Sequence, residues 1–522
     1  MTQRQPFSTG MLALIVLLLF VHVWVRASNI TVQPFFTDEN SHINRAAVIY
    51  DFDRHPAVEA HGKLLFYFLP GIFDLKEFDT ALHLARTSMA LASAITGAFV
   101  FAIARRLLDA RAGLIALFFY ALVPYAVFFE RMALADAWSG TMGTILVWHS
   151  IRFAQAPSYR RALWVGVFVA LTPMAKLTLS FVALMPVVAV WLFAEYDNLV
   201  HMVRRFFPYG FRAALMVVGI WSLVLVPAAY EDLTGGTPYL IYPTWLVETT
   251  TESATFLDKL EQGWERQVLL MSWPLSLLTL GVVAWRFPAM PRAMALNLVW
   301  LVLAWIPTYF IIGPDSFQSR YLMVGMAPIA VLLGMGLISA LDALPPPPRW
   351  SLPLAGALML AWALGFALPF LQTAATAPED LTLPERDAQN YFYGPYNSYG
   401  IAEAYFWVRD NGTRYEGQSY VLGNTRFCFT RPDYYNLDDV MEYACAQELH
   451  YQPDGGDYAE FQQIVWEPLQ SGVPAVYIIT ESGTMTEPPP DLPLRMEPMA
   501  RFGKPYGSDL EFVVWRTTLP DA

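Results

Sequence analysis

A succession of long apolar stretches constrains this chain more than any other feature. A helix that crosses a bilayer needs about 20 mostly apolar residues. Such stretches run over residues 10–25, 81–104, 112–129, 134–153, 162–174, 177–193, 211–230, 268–285, 293–312, 321–341 and 352–371. About eleven spans result, which predicts a polytopic α-helical membrane protein. The stretch from 162 to 193 is too long for one upright span, so it reads as a hairpin turning at Pro173-Met174-Ala175-Lys176. A composition that is 55% hydrophobic, with mean hydropathy +0.36, fits this class.

Basic residues in short loops set the orientation. With a cytoplasmic N-terminus, the inside loops carry Arg105, Arg106 and Arg111; Arg152, Arg160 and Arg161; Arg204, Arg205 and Arg212; Arg286 and Arg292; and Arg349. An uncleaved first span and eleven crossings then leave the C-terminal tail outside. The predicted division is a transmembrane domain over 1–375, with a large first external loop at 27–80, and an extracytoplasmic α/β domain over 376–522. Four prolines at 345–348 form a stiff connector before the last span. The tail holds 23 acidic and 9 basic residues, which argues against nucleic acid as its partner. Segments 419–423, 476–480 and 511–517 read as strands, and 400–410 and 458–470 as helices. Both cysteines, Cys428 and Cys445, lie in the tail, where a disulfide or two buried thiols would fit.

Ionisable groups concentrate in the first external loop and at the outer ends of later spans. Asp38, Glu39, His42, His61, Lys63 and Arg86 come first. Arg131 follows Glu130, and Asp136, Lys176, Arg320 and Tyr321 complete the set. Residues 40–50 can form a short surface helix. Residues 63–73 are too short to span and too apolar to sit in water, so they read as an interfacial helix. A carboxylate such as Asp38 or Glu39 can take a proton from a hydroxyl. Lys63, Arg86, Lys176 and Arg320 can offset charge on a phosphate, with Tyr321 as a hydrogen-bond donor beside Arg320. Each group has a plainer role as well. Asp-Glu before a helix suits an N-cap. Arg86 and the Arg320-Tyr321 pair suit headgroup anchors. Asp136 suits a partner for Arg131, and Lys176 can snorkel. His42 and His61, with a carboxylate, are the weak candidates for a divalent metal, at a spacing that matches no compact metal motif.

Four short stretches resemble the protein O-mannosyltransferase and lipid A aminoarabinose transferase group of GT-C glycosyltransferases. They are Thr-Asp-Glu-Asn at 37–40, His-Gly-Lys-Leu-Leu-Phe-Tyr at 61–67, Arg86 together with Arg131-Met-Ala-Leu-Ala-Asp136, and Ser-Arg-Tyr-Leu at 319–322. Lys176 sits where relatives carry a lysine in an external turn. The resemblance covers roughly residues 10–371. It implies a GT-C membrane domain in the plasma (inner) membrane and transfer of a sugar from a polyprenyl-phosphate donor to an extracytoplasmic acceptor. It also implies that Asp38 is the base, with Glu39 its neighbour, and that Lys63 lies near the phosphate. The segment at 61–67 lacks the proline common in relatives, and the tail shows no O-mannosyltransferase accessory domain. The competing reading is a transporter or flippase of a lipid-linked glycan. That class places its ionisable groups at the bilayer midplane rather than at span ends.

Overall fold

The computed structural model describes residues 8–51, 63–73, 75–76, 78–234, 256–310, 317–344, 350–424, 430–445, 462–481 and 494–520. The chain divides into two compact units, and neither is continuous in sequence. The first holds Met1–Ile30, Val48–Ile72 and Arg86–Pro384. The second holds Thr31–Ala47, Phe73–Ala85 and Glu385–Ala522.

The first unit is helical. It contains α1 (Thr9–Ala27), α3 (Leu64–Gly71), most of α4 (Phe78–Leu107), α5 (Ala110–Leu122), α6 (Pro124–Glu130), α7 (Ala135–Gln155) and α8 (Tyr159–Ala175). A 3-10 segment, Leu177–Leu184, leads into α9 (Met185–Phe193). Next come α10 (Leu199–Leu233), α11 (Phe256–Met271), α12 (Trp273–Arg286) and α13 (Pro291–Phe310). The unit closes with α14 (Arg320–Met323), α15 (Met326–Asp342), α16 (Ser351–Trp362) and α17 (Leu368–Thr376). Polar caps start several of these helices where the apolar run begins. Ser8 accepts from the Met11 amide, and Asp109 from the Ala112 amide. Close packing relies on small residues: a Cβ at Gly334 of α15 would lie 2.5 Å from the Ala112 carbonyl of α5.

The structure does not confirm the count of about eleven spans. Among the described residues, five helices are long and apolar enough to cross a membrane, or up to seven if each of two bent pairs is one span. Each of the eleven apolar stretches falls mainly on helix, but several are short or interrupted. Proline is the physical reason in both bent pairs. Pro124 opens α6, which bends by 55° from α5. The stretch 268–285 is not one helix: α11 and the following helix meet at 109°, at Ser272 with φ +76°. Pro274 cannot donate to the preceding turn, so the ladder breaks there. The turn expected at 173–176 falls at Lys176, which is extended (φ −163°) between α8 and the 3-10 segment.

The second unit combines α2 (Thr37–Val48, all but its last residue) with a sheet and its helices. The five strands described are β1 (Ser419–Asn424), β2 (Met441–Cys445), β3 (Val476–Glu481), β4 (Arg495–Gly503) and β5 (Glu511–Thr518). Their order is β2-β1-β3-β5-β4. β1 runs parallel to β2 and β3, while β5 runs antiparallel to β3 and β4. All six residues of β3 are buried, as a central strand packed on both faces requires. α18 (Glu385–Ala388) precedes the sheet, α19 (Ile401–Asn411) packs Ile401, Tyr405 and Val408 on one face, and α20 (Glu467–Gln470) places Leu469 on the other. Cys445 is disulfide-bonded. The chain has one other cysteine, Cys428, which lies outside the described residues.

Candidate active site

α2 begins earlier than the sequence suggested. Asp38 and Glu39 lie in its first turn rather than ahead of it. Glu39 is buried and its carboxylate accepts from the Phe36 amide at 3.2 Å. That is the returning half of a capping box, a structural task for Glu39. Asp38 is half-buried. The helix is held within its own unit at two levels. At its start, Thr37 donates its amide and its hydroxyl to the Tyr396 carbonyl, both at 2.9 Å. Further along, Tyr434 donates its hydroxyl to Asn44 Oδ1 at 3.4 Å, and its ring lies 4.8 Å from that of Phe35. Burial pushes the Tyr434 hydroxyl well up from its ordinary value, so it stays a donor at neutral pH. His42 is buried on the same helix, and His61 lies outside the described residues. Among the described residues, no group of three or more His, Cys, Asp or Glu side chains could hold a metal ion.

The helical unit brings together Asp136, Lys176, Arg320 and Tyr321. Lys176 Nζ donates to Asp136 Oδ1 at 2.5 Å. Asp136 therefore pairs with Lys176, not with Arg131 as its plainer reading had it. The ammonium also lies 4.6 Å from the centre of the Tyr321 ring. Arg320 Nη2 donates to the Tyr321 hydroxyl at 3.0 Å. Asp136, Lys176 and Arg320 are all buried. α7 supplies Asp136 in its first turn, where helix polarity favours a carboxylate. Lys176 sits at the break after α8, where the extended residue turns its side chain off the helix path. Lys63 directly precedes α3, whose Leu65 packs on Met142, Ile145 and Ala175. This places α3 against the two helices that present Asp136 and lead to Lys176.

Arg86 and Arg131 have a different setting. Arg86 Nη1 donates to the Ile30 carbonyl at 2.8 Å. Arg131 donates to the carbonyls of Val25 and Asn29, both at 3.0 Å. Both arginines thus grip the segment that leaves α1.

Sequence reasoning missed Arg26. Its side chain is 0% exposed, and Nε donates to Glu130 Oε2 at 2.6 Å. Nη1 donates to the His22 and Ala121 carbonyls, and Nη2 to that of Tyr120. Tyr120 donates to the other oxygen of Glu130 at 2.5 Å. The partners lie 104 residues apart, and an arginine ending the first span looks like an ordinary flank. Only the charge of Glu130 beside a buried turn was a signal.

A cavity of about 860 Å³ opens at the kink between α11 and α12, lined by Ser272, Trp273, Trp362, Phe366, Phe370 and Asp380 among others. None of the site residues expected from the sequence lines it.

A family model described as dolichyl-phosphate-mannose-protein mannosyltransferase matches residues 60–225. The crystal structure of ArnT from Cupriavidus metallidurans in the apo state superposes with TM-score 0.62 at 12% identity, covering 97% of this chain and 98% of that one. The same protein bound to undecaprenyl phosphate gives 0.60 at 13% identity, covering 98% of both chains. The chain shares the fold of that protein. The likeness includes residues of both compact units, since the coverage is nearly complete in each direction. The family model, by contrast, spans from α3 to α10 and includes Lys63, Arg86, Arg131, Asp136 and Lys176. A comparison with curated proteins gives no match.

Proposed function

We propose that this GT-C chain moves a sugar from a polyprenyl-phosphate donor to the hydroxyl of an extracytoplasmic acceptor, which is a glycan, lipid or protein. The observation that carries this reading is the buried Lys176–Asp136 pair with Arg320 and Tyr321 around it. A buried ammonium with unused donor capacity is costly unless an anion completes it. ArnT, whose fold this chain shares, was crystallised with undecaprenyl phosphate, which supports a lipid phosphate as that anion.

Asp38 takes the proton from the acceptor hydroxyl as its oxygen attacks the anomeric carbon. The bond from that carbon to the lipid phosphate breaks, and the electron pair leaves with the phosphate. Lys63, Lys176 and Arg320 offset the charge that grows there, and Tyr321 orients Arg320. Arg86 and Arg131, which hold the segment after α1, join the donor-binding set. Attack opposite the departing phosphate inverts the anomeric centre. Glu39 fixes the turn that presents Asp38. The tail lies on the extracytoplasmic side in this reading, with the chain as a multi-pass protein of the inner membrane.

The test is mass spectrometry of cell-envelope glycans and glycoproteins after deletion of the chain, with complementation. The wild type restores the missing glycoform. Asp38→Asn lowers its rate of formation by at least about a hundredfold at equal protein level. Full restoration by Asp38→Asn would remove the catalytic assignment.

A further inference from the structure

The second unit contains a buried charge pair that the proposed chemistry does not use. Lys504 has a fully buried side chain and Glu481 is 4% exposed, with Nζ 2.6 Å from Glu481 Oε1. The ammonium has three protons to donate. The other two acceptors are the carbonyls of Gly394 and Asn397, each at 2.9 Å. The ring of Phe512 lies 5.1 Å below the same nitrogen. An apolar pair of similar volume would fill this space without any desolvation cost. An apolar pair could not fix two carbonyls of one loop in a set direction, and that is what Lys504 does.

The loop it fixes is the one that grips α2. Asn397 bridges Phe36 in antiparallel fashion. Ser398 donates its amide to the Phe35 carbonyl at 3.0 Å, and Thr37 donates to Tyr396 from amide and hydroxyl. The Phe36 ring lies 4.8 Å from that of Tyr391, at the base of the same loop. Asp38 is the next residue after Thr37. One continuous set of bonds therefore runs from Glu481 through Lys504, the 394–398 loop and Thr37 to the turn that carries Asp38.

We infer that Lys504, held by Glu481, is a positioning residue for Asp38: it sets the angle at which the tail presents the base. This rests on the reading of Asp38 as the base. Lys504 is not placed at the reacting atoms. It acts through the loop, where a displacement of about 1 Å at a catalytic group costs on the order of a hundredfold in rate.

The experiment uses the full chain, purified in lipid nanodiscs and also expressed in the deletion strain. In Lys504→Met, amide deuterium uptake should rise in peptides covering 35–40 and 394–400, while β1 and β5 stay at wild-type levels. The rate at which the glycoform reappears after induction should fall about ten- to a hundredfold. In an Asp38→Asn background, Lys504→Met should give no further loss, because a positioning residue then has nothing left to position. A purely structural lysine would give an additional loss in that background. Unchanged uptake at 35–40, or a wild-type rate despite raised uptake, would overturn the inference. If β1 and β5 also exchange faster, the domain has come apart. Glu481→Gln then decides by the same two readouts, since it keeps an acceptor for Lys504 while removing the charge that holds it. Failure of the base assignment shows separately, as wild-type turnover by Asp38→Asn with Lys504 intact.

Discussion

Two buried ion pairs in the helical unit look alike and behave differently. Arg26–Glu130 and Lys176–Asp136 each join distant parts of the chain, 104 and 40 residues apart. The first is closed. Both oxygens of Glu130 are taken, and every nitrogen of the Arg26 guanidinium donates to a protein group. Lys176 is open. Among the described residues its ammonium makes one hydrogen bond, to Asp136, and leaves two of three protons for something else, with an aromatic face and a second cation at hand. The closed pair ties α1 to the bend between α5 and α6. The open pair has the form of a site. Saturation, more than burial or charge, distinguishes the two pairs.

The sharpest way to break that contrast is to remove one partner of the closed pair. Arg26→Met leaves Glu130 buried without its cation and should cost about 3–5 kcal/mol of stability. A fall in thermal midpoint in detergent, or loss of folded protein, would show it. A change in turnover at intact stability would contradict the assignment.

Removing both members of the open pair should act the other way. Lys176→Met with Asp136→Asn leaves no buried charge behind, so the midpoint should stay close to wild type. Transfer should drop by about 10²–10³, the usual loss when a group that stabilises a leaving charge is deleted. Measured glycoform rates at matched expression decide this. The gentlest probe is Tyr321→Phe. It keeps the ring against Lys176 but removes the hydroxyl that accepts from Arg320, a bond worth about 0.5–1.5 kcal/mol net. A several-fold rise in donor KM with little change in kcat would place that bond in donor binding.

Much of this was visible in the sequence, and the misses have physical causes. Apolar runs mark helices, because a bilayer leaves the backbone no other partner. β1, β3 and β5 were legible from their short apolar runs. β4 was not: Arg495, Glu497 and Arg501 face outward on an edge, and the register shifts between Pro498 and Ala500. Such features protect an edge strand and also disguise it. The kink at Ser272 escaped notice because both arms are equally apolar, so periodicity carries on through the break. Of the candidate residues, short motifs pointed to Asp38, Lys63, Asp136 and Lys176. Which cation meets which carboxylate is a tertiary fact. Asp136 lies nearer in sequence to Arg131, yet it bonds Lys176. Lys504 and Glu481 gave no signal, because charged residues in an acidic soluble tail are expected to face water.

The discontinuity of the second unit bears on any attempt to graft tails between related chains. Residues 31–47 and 73–85 belong with 385–522. A chimera that exchanges only the C-terminal portion would seat a native α2 on a foreign cradle and, if Asp38 is the base as proposed, misaim it. Swapping all three segments together, as one inherited block, is the transplant that keeps the unit whole.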